Sequence, residues 1–209
     1  MTVVVTEGTA ERHLVSERCT LTIRVSREAP TSEVATAGAS QRVVVLAERA
    51  TRLRESGQAT WHQVTPVTSW LRKWRDDQGN QHSAWVAAAE VRVKLCELSL
   101  VGRLSNEMAA EGYTVTTSWA LTEATRKSVQ REVRIEAVRA ARERAEDYAA
   151  ALGGHLVDTL ELSDAGEALS FGGMPRAAAA AGAGAAAAEQ VTIPEQTVSA
   201  RITARFDVR

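Results

Sequence analysis

The strictest alternation of apolar and polar residues lies at the C-terminus. Val198, Ala200, Ile202, Ala204, Phe206 and Val208 point one way and Thr197, Ser199, Arg201, Thr203, Arg205 and Asp207 the other. A period of two belongs to an extended strand, so this stretch predicts a strand with one dry and one wet face. The pattern recurs at Cys19, Leu21, Ile23 and Val25, at Ala87, Ala89, Val91, Val93 and Leu95, and at Tyr113, Val115, Thr117, Trp119 and Leu121. One polar face per strand predicts antiparallel sheet covered on a single side.

Helical spacing fills the intervals. After Ala29-Pro30, Thr31 predicts an N-cap for a helix from Val34 to Leu53, with Val34, Ala37, Gln41, Val44, Val45 and Leu53 near its packed face and Gly57 as its stop. A shorter helix over Leu98 to Ala110 places Leu100, Val101, Leu104 and Met108 on one stripe. The third runs from about Thr125 to Leu152, with Val129, Val133, Ala137, Ala141, Ala145, Tyr148 and Leu152 along one side and Gly153-Gly154 forming a left-handed end. Small residues on that stripe predict a helix lying flat and close on a sheet, with Arg139, Arg142, Glu143, Glu146 and Asp147 in water.

From Glu17 onward the order is strand, helix, strand, strand, helix, strand, helix, strand, strand. The predicted class is therefore α+β: antiparallel sheet packed with long helices, two βαββ-like halves at about 1–96 and 112–209 joined by the helix over 98–110, all in one domain spanning 1–209. The run Gly172 to Ala188, rich in alanine and glycine without apolar periodicity, predicts a flexible loop, with a short helix on a partner as the alternative. Asp76-Asp77-Gln78-Gly79-Asn80 predicts a hairpin turn.

A chain of 209 residues with 44% hydrophobic composition can bury a sizeable core. Its formal net charge of −1 supplies no general attraction for nucleic acid, which is not expected as a partner. No window approaches the roughly 18 apolar residues of a membrane span, and the N-terminus lacks the charged and apolar regions of a signal peptide. The expected location is cytoplasmic, or the periplasm or envelope if a leader has been trimmed. Cys19 and Cys96 suit buried small hydrophobes better than a disulfide framework or zinc site, and whether they pair is open.

Catalytic patterns are missing from the sequence. GxxxxGK[ST] is absent, and Gly182-Ala183-Gly184-Ala185 has neither the strand-to-helix setting nor the lysine of a phosphate loop. His13, His62, His82 and His155 form none of HxH, HExxH or HxxxH, no GxSxG elbow occurs, and Glu143, Glu146 and Asp147 read as a solvated helix face. No enzyme activity, metal or cofactor is expected. The unusual feature is tryptophan: four of the five, Trp61, Trp70, Trp74 and Trp85, fall within 25 residues, and Leu71-Arg72-Lys73-Trp74-Arg75 mixes them with cations. Trp61, Trp70, Arg72, Trp74 and Trp85 form the candidate interaction surface, expected to cover a hairpin or meet a neighbouring subunit rather than stack on a ligand.

Laid out in order, the elements resemble the SIMPL domain family, formerly domain of unknown function 541. Val4 to Ala10 is similar to the family's opening V-x-G-x-G strand, and Gly112 to Trp119 to the segment before its last long helix. Ala137 to Gly153 is similar to its A-x-x-x-A-x-x-x-A helix ending in A-x-x-L-G, and Ile193 to Ala200 to its I-x-P-G-x-x-x-V-x-A, with Glu195 where glycine is usual. The family includes bacterial periplasmic and outer-envelope proteins. The resemblance implies an α/β sandwich, no established catalytic residues, and in some members ring or channel-like assembly. The expectation is a non-enzymatic, self-associating scaffold or stress-related protein, a homo-oligomer or partner of another protein. The alternative is a small-molecule or peptide-binding module using the Trp-rich hairpin.

Overall fold

The computed structural model describes residues 2–164 and 191–209; the expected Ala/Gly loop over 172–188 lies outside the described residues. In chain order the elements are β1 (Thr2–Val15), β2 (Arg18–Ala29), α1 (Ser32–Glu55), β3 (Ala59–Val64), β4 (Thr68–Arg75), β5 (Gln81–Leu95), α2 (Leu100–Ala110), β6 (Thr114–Ala120), α3 (Glu123–Ala151), β7 (Leu156–Asp164) and β8 (Glu195–Val208). Every strand pair among the described residues is antiparallel, and the class is α+β as predicted. No helix among the described residues is long and apolar enough to cross a membrane.

The chain forms two compact units, which do not follow the expected halves at about 1–96 and 112–209. Of the described residues, one unit takes 2–16, 121–164 and 194–209, and the other 17–120 and 191–193. The reason is that β1 pairs with β8, from Thr2↔Val208 to Val15↔Glu195, instead of with its sequence neighbour. Closing so long a loop costs little more than closing a short one. The expected joining helix, α2, is likewise not a linker, because Val101, Leu104 and Met108 are buried in the core of the second unit.

In the first unit the sheet order is β1-β8-β7, and α3 packs on the face formed by Val4, Thr6 and Gly8 of β1 and the even-numbered residues 198–208 of β8. Thr122 caps the helix by accepting from the Thr125 amide at 3.3 Å. The buried stripe is Val129, Val133, Ala137, Ala141, Ala145 and Ala149, a strict spacing of four. Such a row is inclined to the helix axis, so it stays in contact only over a twisted surface, which two long paired strands supply. Continuing the row puts Ala149 inward and leaves Tyr148 and Leu152, predicted on the stripe, 56% and 66% exposed. Gly153 takes φ 74 at the helix end. Gly154 has ordinary φ and serves another purpose: a Cβ there would come within 2.5 Å of the Arg209 carbonyl oxygen.

The closest approach is at Gly8. A Cβ built there would lie 1.9 Å from the Ala137 carbonyl oxygen and 2.5 Å from the Ala141 amide nitrogen. Beside it, the buried Thr6 hydroxyl donates to the Ala141 carbonyl at 2.6 Å, and Arg144 donates to the Glu7 carbonyl at 2.8 Å. The helix backbone thus rests directly on the strand.

In the second unit the sheet runs β3-β5-β2-β6, with β4 pairing the first half of β5. Cys19, Leu21, Ile23 and Val25 of β2 and Ala87, Ala89, Val91, Val93 and Leu95 of β5 turn inward beneath α1 and α2, as their alternation predicts. Thr31 caps α1 as expected, accepting from the Val34 amide at 3.4 Å. The buried face of α1 differs from the predicted one. Ala35, Ala39, Val43, Leu46 and Ala50 pack on the sheet, while Val34, Val44 and Val45 are exposed. Alanines let the helix sit close to the pleated surface, so close approach outweighs the larger area the valines would bury.

Candidate functional site

The Trp-rich segment is an antiparallel ribbon. β4 leaves Val67, runs to Arg75, turns at Asp76–Asn80 as predicted, and returns as β5 in the register Trp70↔Val86, Arg72↔Ala84 and Trp74↔His82. All eight residues of β4 are exposed: α1 meets it at its first turn, where the Ser32 and Ser69 hydroxyls lie 2.9 Å apart, and among the described residues no strand flanks its outer edge.

Register decides which predicted residues meet. Trp70, Arg72 and Trp74 share the face away from the helices, and Trp61 on β3 joins that face opposite Lys94, whose ammonium lies 5.8 Å from its ring centre. Trp85, opposite Leu71, points to the helix side and packs against the core. The five predicted residues are therefore four on an open face and one structural anchor.

A connected series of contacts runs along the open face. Glu28 pairs with Arg72 at 2.9 Å, the Arg72 guanidinium lies 4.6 Å from the Trp74 ring centre, and Trp74 stacks on His82 with centroids 5.6 Å apart. The His82 Nε2 atom is 2.9 Å from a carboxylate oxygen of Asp76. Asp76 also accepts from the Gln78 amide at 3.0 Å and from the Asn80 amide at 2.8 Å. These bonds, that from His82 foremost and those from Asn80 next, bring its pKa from an ordinary 3.8 down to about 2. Asp76 holds the turn, and the turn holds His82 under Trp74. His82, Asp76, Glu28 and Lys94 were not among the predicted site residues.

A carboxylate depressed in the folded state stabilises the turn fully above its ordinary pKa and loses that contribution as the pH falls through the folded value. The Gln78 and Asn80 amide NMR shifts are expected to titrate together with a midpoint near 2, and Asp76→Asn removes the titration. A midpoint near the ordinary 3.8 contradicts the pinned turn.

Elsewhere the chemistry is spare. The cavity between α1, α2 and the sheet is about 20 Å³ and lined by Leu21, Ile23, Leu46, Val93, Leu104 and Met108 among others, room for about one water in an apolar wall. Burial pushes the Cys19 thiol up to about 12, which keeps it protonated at neutral pH. Both cysteines are free: Cys19 lies opposite Leu95, and Cys96, one residue further along, donates to the Gly57 carbonyl at 3.1 Å. Among the described residues no three His, Cys, Asp or Glu side chains converge on a point that could hold a metal ion.

The family model named SIMPL, a protein of unknown function (DUF541), matches residues 4–206. The chain belongs to the SIMPL family. No curated protein matches it. The match takes in the strand carrying Gly8, the alanine stripe of α3 and nearly all of the closing strand, so it rests on most of this chain and not on one motif.

Proposed function

We propose that this SIMPL protein is a non-enzymatic scaffold that associates with itself through open sheet edges. The observation that carries this is β4: eight consecutive exposed residues with two tryptophans, Trp70 at 48% and Trp74 at 38% exposure, on a strand whose outer edge has no partner among the described residues. Unpaired edge amides and carbonyls beside aromatic side chains favour addition of another strand, and aromatic residues are enriched where proteins meet. Sedimentation velocity across the micromolar range tests the reading: a sedimentation coefficient rising with concentration is expected, and a strict monomer throughout rejects it.

A second reading rests on the Arg72–Trp74–His82 stack, a polar-flanked aromatic wall suited to a peptide or small planar molecule. Saturable quenching of tryptophan fluorescence by a peptide or metabolite panel is its signature. A flat response removes it.

A further inference from the structure

The edge of β4 has a counterpart elsewhere in the same molecule. β7 is the outer strand of the other sheet, nine residues against the eight of β4, and among the described residues only β8 pairs with it. α3 covers β1 and β8, and β7 is exposed from Val157 to Asp164, including Leu160 and Leu162. The two strands are opposite in charge: β4 carries Lys73, Arg75 and the Glu28-paired Arg72, and β7 carries Asp158, Asp164 and Glu161, the last of these 3.3 Å from Arg205 of β8.

The match extends to the faces. On β4, Lys73 and Arg75 point to one side and Trp70, Arg72 and Trp74 to the other. On β7, Asp158 and Glu161 lie opposite Asp207 and Arg205 on the side away from α3, whereas Leu162 and Asp164 lie opposite Ala204 and Ile202 on the α3 side. Aligned antiparallel with Lys73 opposite Glu161 and Arg75 opposite Asp158, one face brings two cations beside two carboxylates. The other then sets Arg72 opposite Leu162, which lies diagonal to Trp70 and Trp74, within reach of aromatic and long side chains. Like edges do the reverse, setting three cations against three cations or three carboxylates against three carboxylates.

We infer that β4 of one copy adds to β7 of a second copy, joining their sheets by main-chain hydrogen bonds with charge choosing the partner edge. This rests on the self-association proposed above and specifies its contact. Because the two surfaces differ, the contact is heterologous: each copy carries one edge of each kind.

Charge reversal tests the pairing. The double variants Lys73→Glu/Arg75→Glu and Asp158→Lys/Glu161→Lys alter exposed positions, and far-UV circular dichroism checks that each keeps the parent fold. Each variant alone meets itself with like charges, and its association is expected to weaken about ten-fold or more relative to the parent. An equimolar mixture restores both opposite-charge contacts, so sedimentation of the mixture regains the parent's concentration dependence with the two variants in equal amounts. A parent that associates while both variants associate equally well overturns the β4–β7 contact and leaves self-association standing. Variants that weaken without regaining association on mixing also overturn it. A parent that stays monomeric overturns both.

Discussion

Gly8→Ala is expected to lower the stability of the first unit by about 3 kcal/mol. In an ordinary strand the same change removes freedom from the unfolded chain and is neutral or stabilising by about 0.5 kcal/mol. Here the added methyl meets backbone: the Ala137 carbonyl oxygen at 1.9 Å and the Ala141 amide nitrogen at 2.5 Å. No rotamer relieves a backbone clash, so α3 must lift from β1. Lifting stretches the Thr6–Ala141 hydrogen bond and opens the apolar layer that Val4, Ala141 and Ala145 share. For the same reason Ala141→Gly, which removes only the methyl 2.9 Å away, is not expected to rescue the variant. Urea unfolding followed by circular dichroism measures the loss, and a Gly8→Ala protein as stable as the parent shows that the helix does not rest on the strand.

Leu21→Ala is the corresponding test of the second unit, with an expected loss of about 4 kcal/mol. Leu21 is 2% exposed on β2, between β5 and β6, and lines the existing void of about 20 Å³. Truncation enlarges that void instead of letting the site collapse, because its other walls are the rigid sheet and two helices. The five tryptophans, Trp61, Trp70, Trp74, Trp85 and Trp119, all lie in this unit, so their fluorescence reports on it selectively. Leu21→Ala is expected to shift the tryptophan transition strongly, and Gly8→Ala to shift circular dichroism more than tryptophan emission. A Leu21→Ala loss below about 1 kcal/mol contradicts tight packing around the void.

The ribbon at β4 and β5 is legible in the chain as far as local chemistry reaches. A turn at Asp76–Asn80 sets the register of the strands on either side, which places His82 under Trp74 and Trp85 opposite Leu71. Alternation then assigns Trp85 to the dry side with Ala87 and Ala89, so the separation of Trp85 from Trp70 and Trp74 follows from counting. The exposure of β4 on both faces does not follow, because it depends on where α1 ends and on which strands flank β5. The opposite edge, β7, gives a weaker signal still. Shifts of register between Leu156 and Asp158 and between Thr159 and Glu161 break its alternation, so its acidic and apolar faces emerge only from its pairing with β8.

Sequence alone determined what is local: the period-two faces of β2, β5 and β8, the caps at Thr31 and the glycine after α3, the closeness implied by alanines four apart, and the absence of a catalytic motif. It also erred where apolar size competes with fit, placing Val34, Val44 and Val45 inward when Ala35 and Ala39 pack there instead. Tertiary structure decided that the first strand joins the last, that α2 belongs to a core instead of linking two halves, and that, among the described residues, β4 and β7 end their sheets. The physical reason is that side-chain period reports the environment of one segment, whereas strand order is set by which hydrogen-bonding edges and apolar faces find each other across distances in the chain that no local pattern encodes.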